Sequence, residues 1–144
     1  MRTLIHSLEE IGGKNIKISE DIYSLGSPSL VFTYMGDTFI IQSLPSNYFL
    51  NSIIIVNVGW MFVGKGEKTA IMEVINDVNK QPGYFPKIVF FEDEEKEMYG
   101  LSSNATVVFD PKISNISFHL RDLLYDFFGI QQLFKMSYAI AKKQ

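Results

Sequence analysis

The residues whose spacing comes nearest to chemistry are Gly59-Trp60-Met61-Phe62-Val63-Gly64-Lys65, which fit G-x-x-x-x-G-K between a β-prone run and a helical one. In a phosphate loop of that spacing, backbone N–H groups cradle the phosphates and the lysine meets their charge. Downstream, Ile88-Val89-Phe90-Phe91 followed by Glu92-Asp93 looks like an apolar strand ending in carboxylates that could hold Mg²⁺. The loop chemistry is wrong, however. A phosphate loop needs small residues whose N–H groups point inward, and a Ser or Thr hydroxyl directly after the lysine. Here Trp60, Met61, Phe62 and Val63 fill the loop, and Gly66 follows Lys65. The stretch reads as a strand end and a glycine-containing turn into a helix. A small nucleotide- or phosphate-binding enzyme using residues 59–65 is the alternative.

The other chemical groupings are weaker still. Glu92, Asp93, Glu94 and Glu95 sit beside Lys96 in a turn between two strand-like runs, which describes a solvated acidic loop. Paired acid–base work needs burial to drive two carboxyl pKa values apart. His6 and His119 lie far apart on separate helical stretches; Asp122 is one turn from His119, a spacing more typical of a surface hydrogen bond than of a metal-ligand set. There is no cysteine, hence no disulfide, thiolate nucleophile or Cys-based zinc site. No G-x-S-x-G elbow frames a serine. We expect no catalytic, cofactor-binding or metal-binding residue and no cofactor.

The chain has 144 residues, 47% apolar, 20% charged and 14% aromatic, with twelve Phe and a formal charge of −3. That size fits one domain, here residues 1–144, with a core of its own. Mild acidity and scattered lysines, apart from Lys142-Lys143, do not make the basic stripe of a nucleic-acid binder. Residues 1–10 lack a secretory apolar run, and the apolar stretch 53–63 is too short to span a bilayer as a helix. The expectation is a cytoplasmic protein with no membrane or nucleic-acid partner.

The elements that must position any site follow from periodicity. Residues 2–11 place Leu4, Ile5, Leu8 and Ile11 on one helical face before Gly12-Gly13. Residues 14–28 leave a short edge strand open, since Ile16 and Ile18 alternate with lysines. Residues 30–35 and 38–44 form a hairpin, with Gly36-Asp37 predicted as a type II′ turn. Residues 45–51 are a loop, and 52–63 a nearly continuous apolar strand with a bulge expected at Gly59. Residues 65–80 carry Ala70, Ile71, Val74, Ile75 and Val78 on one helical face, ended by Pro82, Gly83 and Pro86. Two strands follow, 87–91 and 98–109, the second bent at Ser102-Ser103-Asn104. A helix from Ser114 to Phe128 is expected to break at Gly129, leaving a helical extension over 129–144. The order is α-β-β-β-α-β-β-α, an α+β fold with an antiparallel sheet and helices segregated around it.

The aromatic C-terminus is the remaining signal. Phe127, Phe128, Leu133, Phe134 and Tyr138 are candidate protein-interaction residues, with Met136 beside them, or else extra core against the sheet.

Taken together, residues Leu8-Glu9-Glu10-Ile11-Gly12, the strands ending at Val63 and the helix end Ile75-Asn76-Asp77-Val78-Asn79 carry a family likeness. The chain resembles the YbjN-like domains, grouped as bacterial sensory transduction regulators, which share the fold of type III secretion chaperones. The resemblance covers most of the chain and departs from the family at residues 14–28 and after Gly129. It implies a small non-enzymatic protein of chaperone-like or regulatory kind that binds other proteins, often as a homodimer. It carries over no catalytic or cofactor residue.

Overall fold

The structure, a computed structural model, describes residues 2–19, 29–45, 52–110 and 112–143. The expected loop with Tyr48, Phe49 and Leu50 lies outside the described residues, as do positions 20–28 of the open segment. Among the described residues nine elements follow one another, apart from one 3₁₀ turn: α1 (Arg2–Glu10), β1 (Lys14–Ser19), β2 (Ser29–Tyr34), β3 (Asp37–Pro45), β4 (Ser52–Gly64), α2 (Lys68–Asn79), β5 (Lys87–Asp93), β6 (Met98–Phe109) and α3 (Ile116–Lys142). The strands form one six-stranded sheet in the order β1-β2-β3-β4-β6-β5. The class is the expected α+β, with one strand more: residues 14–19 pair antiparallel with β2, through a bulge between Lys14 and Lys17.

The chain divides into two compact units. The first comprises Met1–Val58 and Ala105–Leu123; the second comprises Gly59–Asn104 and Leu124–Gln144. In the first, Leu4 and Leu8, one helical turn apart, are buried, as are Leu30, Phe32, Phe39 and Ile41 of the hairpin. Phe32 pairs with Phe39 in register, and their rings stack with centroids 5.5 Å apart. Ser117 donates a hydrogen bond of 2.8 Å to the Glu10 carboxylate.

The hairpin turn differs from its predicted type. Tyr34 pairs with Asp37, so the two-residue loop is Met35-Gly36, not Gly36-Asp37. Both loop residues have positive φ, 49° and 89°, as a type I′ turn demands. That geometry matches strand twist and favours Asn-Gly. Met35 is an exposed non-glycine residue held in the left-handed region. Replacing Met35 with Asn is therefore expected to raise stability by roughly 0.5–1 kcal/mol, read as a higher denaturation midpoint with unchanged slope.

In the second unit, α2 buries Ile71, Val74, Ile75 and Val78, the face its spacing predicts. These pack in one cluster with Val63, Ile88, Tyr99, Leu101, Ile130, Phe134 and Tyr138. β6 runs unbroken where a bend was expected. Its polar middle has a role in the core: Ser103, wholly buried, accepts a 2.9 Å hydrogen bond from the Trp60 indole N–H.

α3 is likewise one helix of 27 residues, and the expected break at Gly129 is absent. A buried stripe of Ser117, Leu120, Leu124, Phe127, Gln131, Phe134 and Tyr138, with Ile130 buried beside it, steps by three and four straight through that glycine. A Cβ at Gly129 would come within 2.7 Å of the Tyr84 ring. The glycine is there for close packing, and it does not end the helix.

Near the end of α3, Lys142 reaches back to Glu67 at 2.8 Å. That hydrogen bond holds the Glu67 carboxyl below its ordinary 4.5, and burial raises the Tyr138 phenol above its ordinary 10. A depressed carboxyl stabilises the fold above its unfolded pKa and loses that contribution as pH falls through the folded value. The melting temperature should therefore drop as pH is lowered below 4.5, and more in wild type than in a Glu67→Gln variant, which has no such carboxyl to protonate. Thermal scans across that range check it.

Among the described residues, no helix is long and apolar enough to cross a membrane.

Candidate functional site

The G-x-x-x-x-G-K stretch is strand as far as Gly64, and Lys65–Glu67 is a single 3₁₀ turn. No loop is left between Gly59 and Gly64 to wrap a phosphate. The carboxylates Glu94 and Glu95 stand exposed in the β5–β6 turn, where Asp93 accepts the backbone N–H of Lys96 at 3.2 Å. His6 is exposed and 4.0 Å from Glu10, and Asp122 is 3.5 Å from Arg121. Among the described residues, no three His, Asp or Glu side chains gather as a metal-binding group.

Of the five aromatic and aliphatic candidates on α3, Phe127, Phe134 and Tyr138 are buried, and Phe128 and Leu133 are half-buried. Leu133, Phe134 and Tyr138 pack against the cluster of the second unit. Met136 and Ile140, on the opposite side of the helix, are exposed large apolar residues of this stretch.

In the first unit, Ile40, Gln42, Ile55 and Asn57 line a shallow cavity of about 90 Å³, with the buried Asn57 Oδ1 unpartnered. Ligand pockets usually span roughly 300–1,000 Å³. This one is too small for a metabolite.

The arrangement with the clearest chemical capacity is the outer edge of β5. This strand ends the sheet, paired on one side with β6 from Lys87↔Asn104 to Asp93↔Met98. In an antiparallel strand, alternate residues turn both backbone groups toward the same neighbour. The Ile88 N–H donates to Asn79 Oδ1 at 2.8 Å, and the Asn79 amide donates to the Ile88 carbonyl at 3.1 Å. Ile88 therefore faces away from β6, and by alternation so do Phe90 and Glu92. Asn79, at the end of α2, stands where one residue of a further strand would stand. Lys87 Nζ donates to the Asn79 carbonyl at 2.9 Å and holds this cap from outside. Among the described residues, nothing bonds the outward groups of Phe90 and Glu92.

The side chains along this edge divide by parity. Ile88 and Phe90 point inward, Ile88 buried and Phe90 4.6 Å from the Tyr99 ring between centroids. Val89 and Phe91 point outward and are 38% and 42% exposed. Phe91 lies over its cross-strand partner Gly100, where a Cβ would meet the ring at 2.2 Å. Phe62 meets Phe91 edge-on at 6.5 Å, and Lys96 Nζ sits 4.0 Å from the centre of the Phe62 ring. The outcome is an apolar shelf beside an open row of backbone donors and acceptors. The opposite edge, β1, is blunted by its bulge and by the exposed Lys14 and Lys17.

Periodicity gave no hint of this edge. The available signal was the run Ile88-Val89-Phe90-Phe91 itself, apolar on both faces, unusual for a strand that closes one side of a sheet. Among protein-family models, curated proteins and solved structures, none matches the chain.

Proposed function

We propose that the chain is a non-enzymatic protein-binding module, chaperone-like or regulatory in kind, that takes an extended protein segment along the outer edge of β5. The observation that carries this reading is the pair of outward-facing residues Phe90 and Glu92, whose N–H and C=O groups have no partner among the described residues. An added strand draws affinity from such main-chain groups and specificity from the side chains alternating beside them. Val89, Phe91 and Phe62 supply the apolar surface for the second of these.

The test is panning of an unbiased library of extended peptides, followed by mapping of the binders through amide chemical shifts. Binders should perturb Phe90 and Glu92 and fail against a Glu92→Pro variant. Proline there removes an outward N–H but no ladder bond to β6, and edge strands tolerate it. Binders that map away from β5, or that bind Glu92→Pro equally well, would overturn the proposal. A rise in melting temperature with millimolar Mg-ATP or Mg-GTP would instead favour the nucleotide-binding alternative.

A further inference from the structure

We infer that the segment this edge fits is β5 of a second copy of the chain, paired antiparallel about a two-fold axis at Phe91. The inference rests on the reading of β5 as a binding edge and names its occupant. A two-fold interface must be complementary to itself. The edge meets that condition, with Lys87 at one end and Glu92, Asp93, Glu94 and Glu95 at the other.

Few registers are open to such a pair. A two-fold centre at Ile88, Val89 or Phe90 requires the backbone of Ile88, which Asn79 already holds. A centre at Glu92 or Asp93 sets that carboxylate against its own copy, and like charges directly opposite destabilise a sheet. A centre at Phe91 avoids both. Phe90 of each copy then exchanges its two backbone bonds with Glu92 of the other. The two Phe91 side chains become a close cross-strand pair on the outer face, continuing the shelf that Phe62 begins. Val89 lies opposite Asp93, and the pairing ends there, because Asn79 already holds the next outward backbone at Ile88; Lys87 is left at the same end as the acidic turn of the other copy. The two sheets become one, closed at each side of the junction by the Asn79 caps.

The absence of native cysteine makes this register directly measurable. At the Phe91 centre the facing Cα atoms stand about 4.5 Å apart, inside the range of roughly 4.4–6.8 Å that a disulfide spans. Two Val89 positions are offset by four residues, about 13 Å along the strand. Mild oxidation of the full chain should therefore cross-link Phe91→Cys into a covalent dimer, while Val89→Cys alone and Asp93→Cys alone stay uncross-linked. A mixture of Val89→Cys and Asp93→Cys chains should cross-link, and Glu92→Pro should abolish the Phe91→Cys dimer. Circular dichroism of each variant establishes that it is folded.

A folded Phe91→Cys that cross-links no more than Val89→Cys overturns the self-pairing. If library peptides still perturb Phe90 and Glu92 in that event, the binding edge stands and its occupant is a different protein. If they do not, both proposals fall.

Discussion

Phe134→Ala is expected to lower the stability of the second unit by about 3–5 kcal/mol, the usual cost of emptying a buried phenylalanine site. Phe134 is wholly buried, meets Trp60 edge-on at 5.3 Å and stacks on Tyr138 at 5.6 Å. Its loss leaves a cavity between the Trp60 and Tyr138 rings. Total stability of a domain is about 5–15 kcal/mol, so this single change removes a large share. Truncation after Phe128 takes away Ile130, Phe134 and Tyr138 together and should leave the second unit unfolded. Met136→Ala, at a position 63% exposed on the same helix, should change stability by less than about 0.5 kcal/mol. Chemical denaturation followed by fluorescence measures all three, because the only tryptophan is Trp60, in contact with Phe134. A Phe134→Ala protein with an unchanged midpoint would contradict the packing described.

Local pattern made much of this fold legible. The apolar face of α2, the β2–β3 hairpin and the strand from Ser52 all follow from spacing and punctuation within a dozen residues. What escaped depends on contacts between distant residues. Gly129 looks like a helix break until Tyr84 is seen against it. Ser103 looks like a strand break until the Trp60 indole is seen bonding it. The turn type was missed because Met35 adopts positive φ against its own preference.

The candidate site was hidden for a different reason. That β6, not β5, neighbours β4 is a matter of sheet order, and no local spacing encodes it. In the sequence Asn79 is simply the last residue of the helix end Ile75-Asn76-Asp77-Val78-Asn79. Its second role, bonding the backbone of Ile88, needs the chain to turn through Pro82, Gly83 and Pro86 and come back alongside α2.

That role gives the second large effect. Asn79→Ala removes both side-chain bonds to Ile88 and should cost about 1–2 kcal/mol, two ordinary hydrogen bonds partly recovered by water. It should also increase self-association, an uncommon combination for a destabilising change. With Ile88 released, the register centred on Phe90 becomes available. A mixture of Val89→Cys and Phe91→Cys chains should then form a mixed cross-link in the Asn79→Ala background and not in its absence. Denaturation midpoints and sedimentation at matched concentrations measure the two effects separately. Lower stability with no gain in association would leave Asn79 as a structural cap alone.

The most direct test of the proposed binding edge is residue-resolved amide exchange along β5 as protein concentration rises. In dilute solution the ladder to β6 should protect Val89 and Phe91, and Asn79 should protect Ile88, while Phe90 and Glu92 exchange freely. At high concentration, Phe90 and Glu92 should gain protection together, and Glu92→Pro should prevent the gain at Phe90. If Phe90 and Glu92 exchange freely at every concentration and with every peptide tried, the edge of β5 does not bind protein segments and the account is wrong.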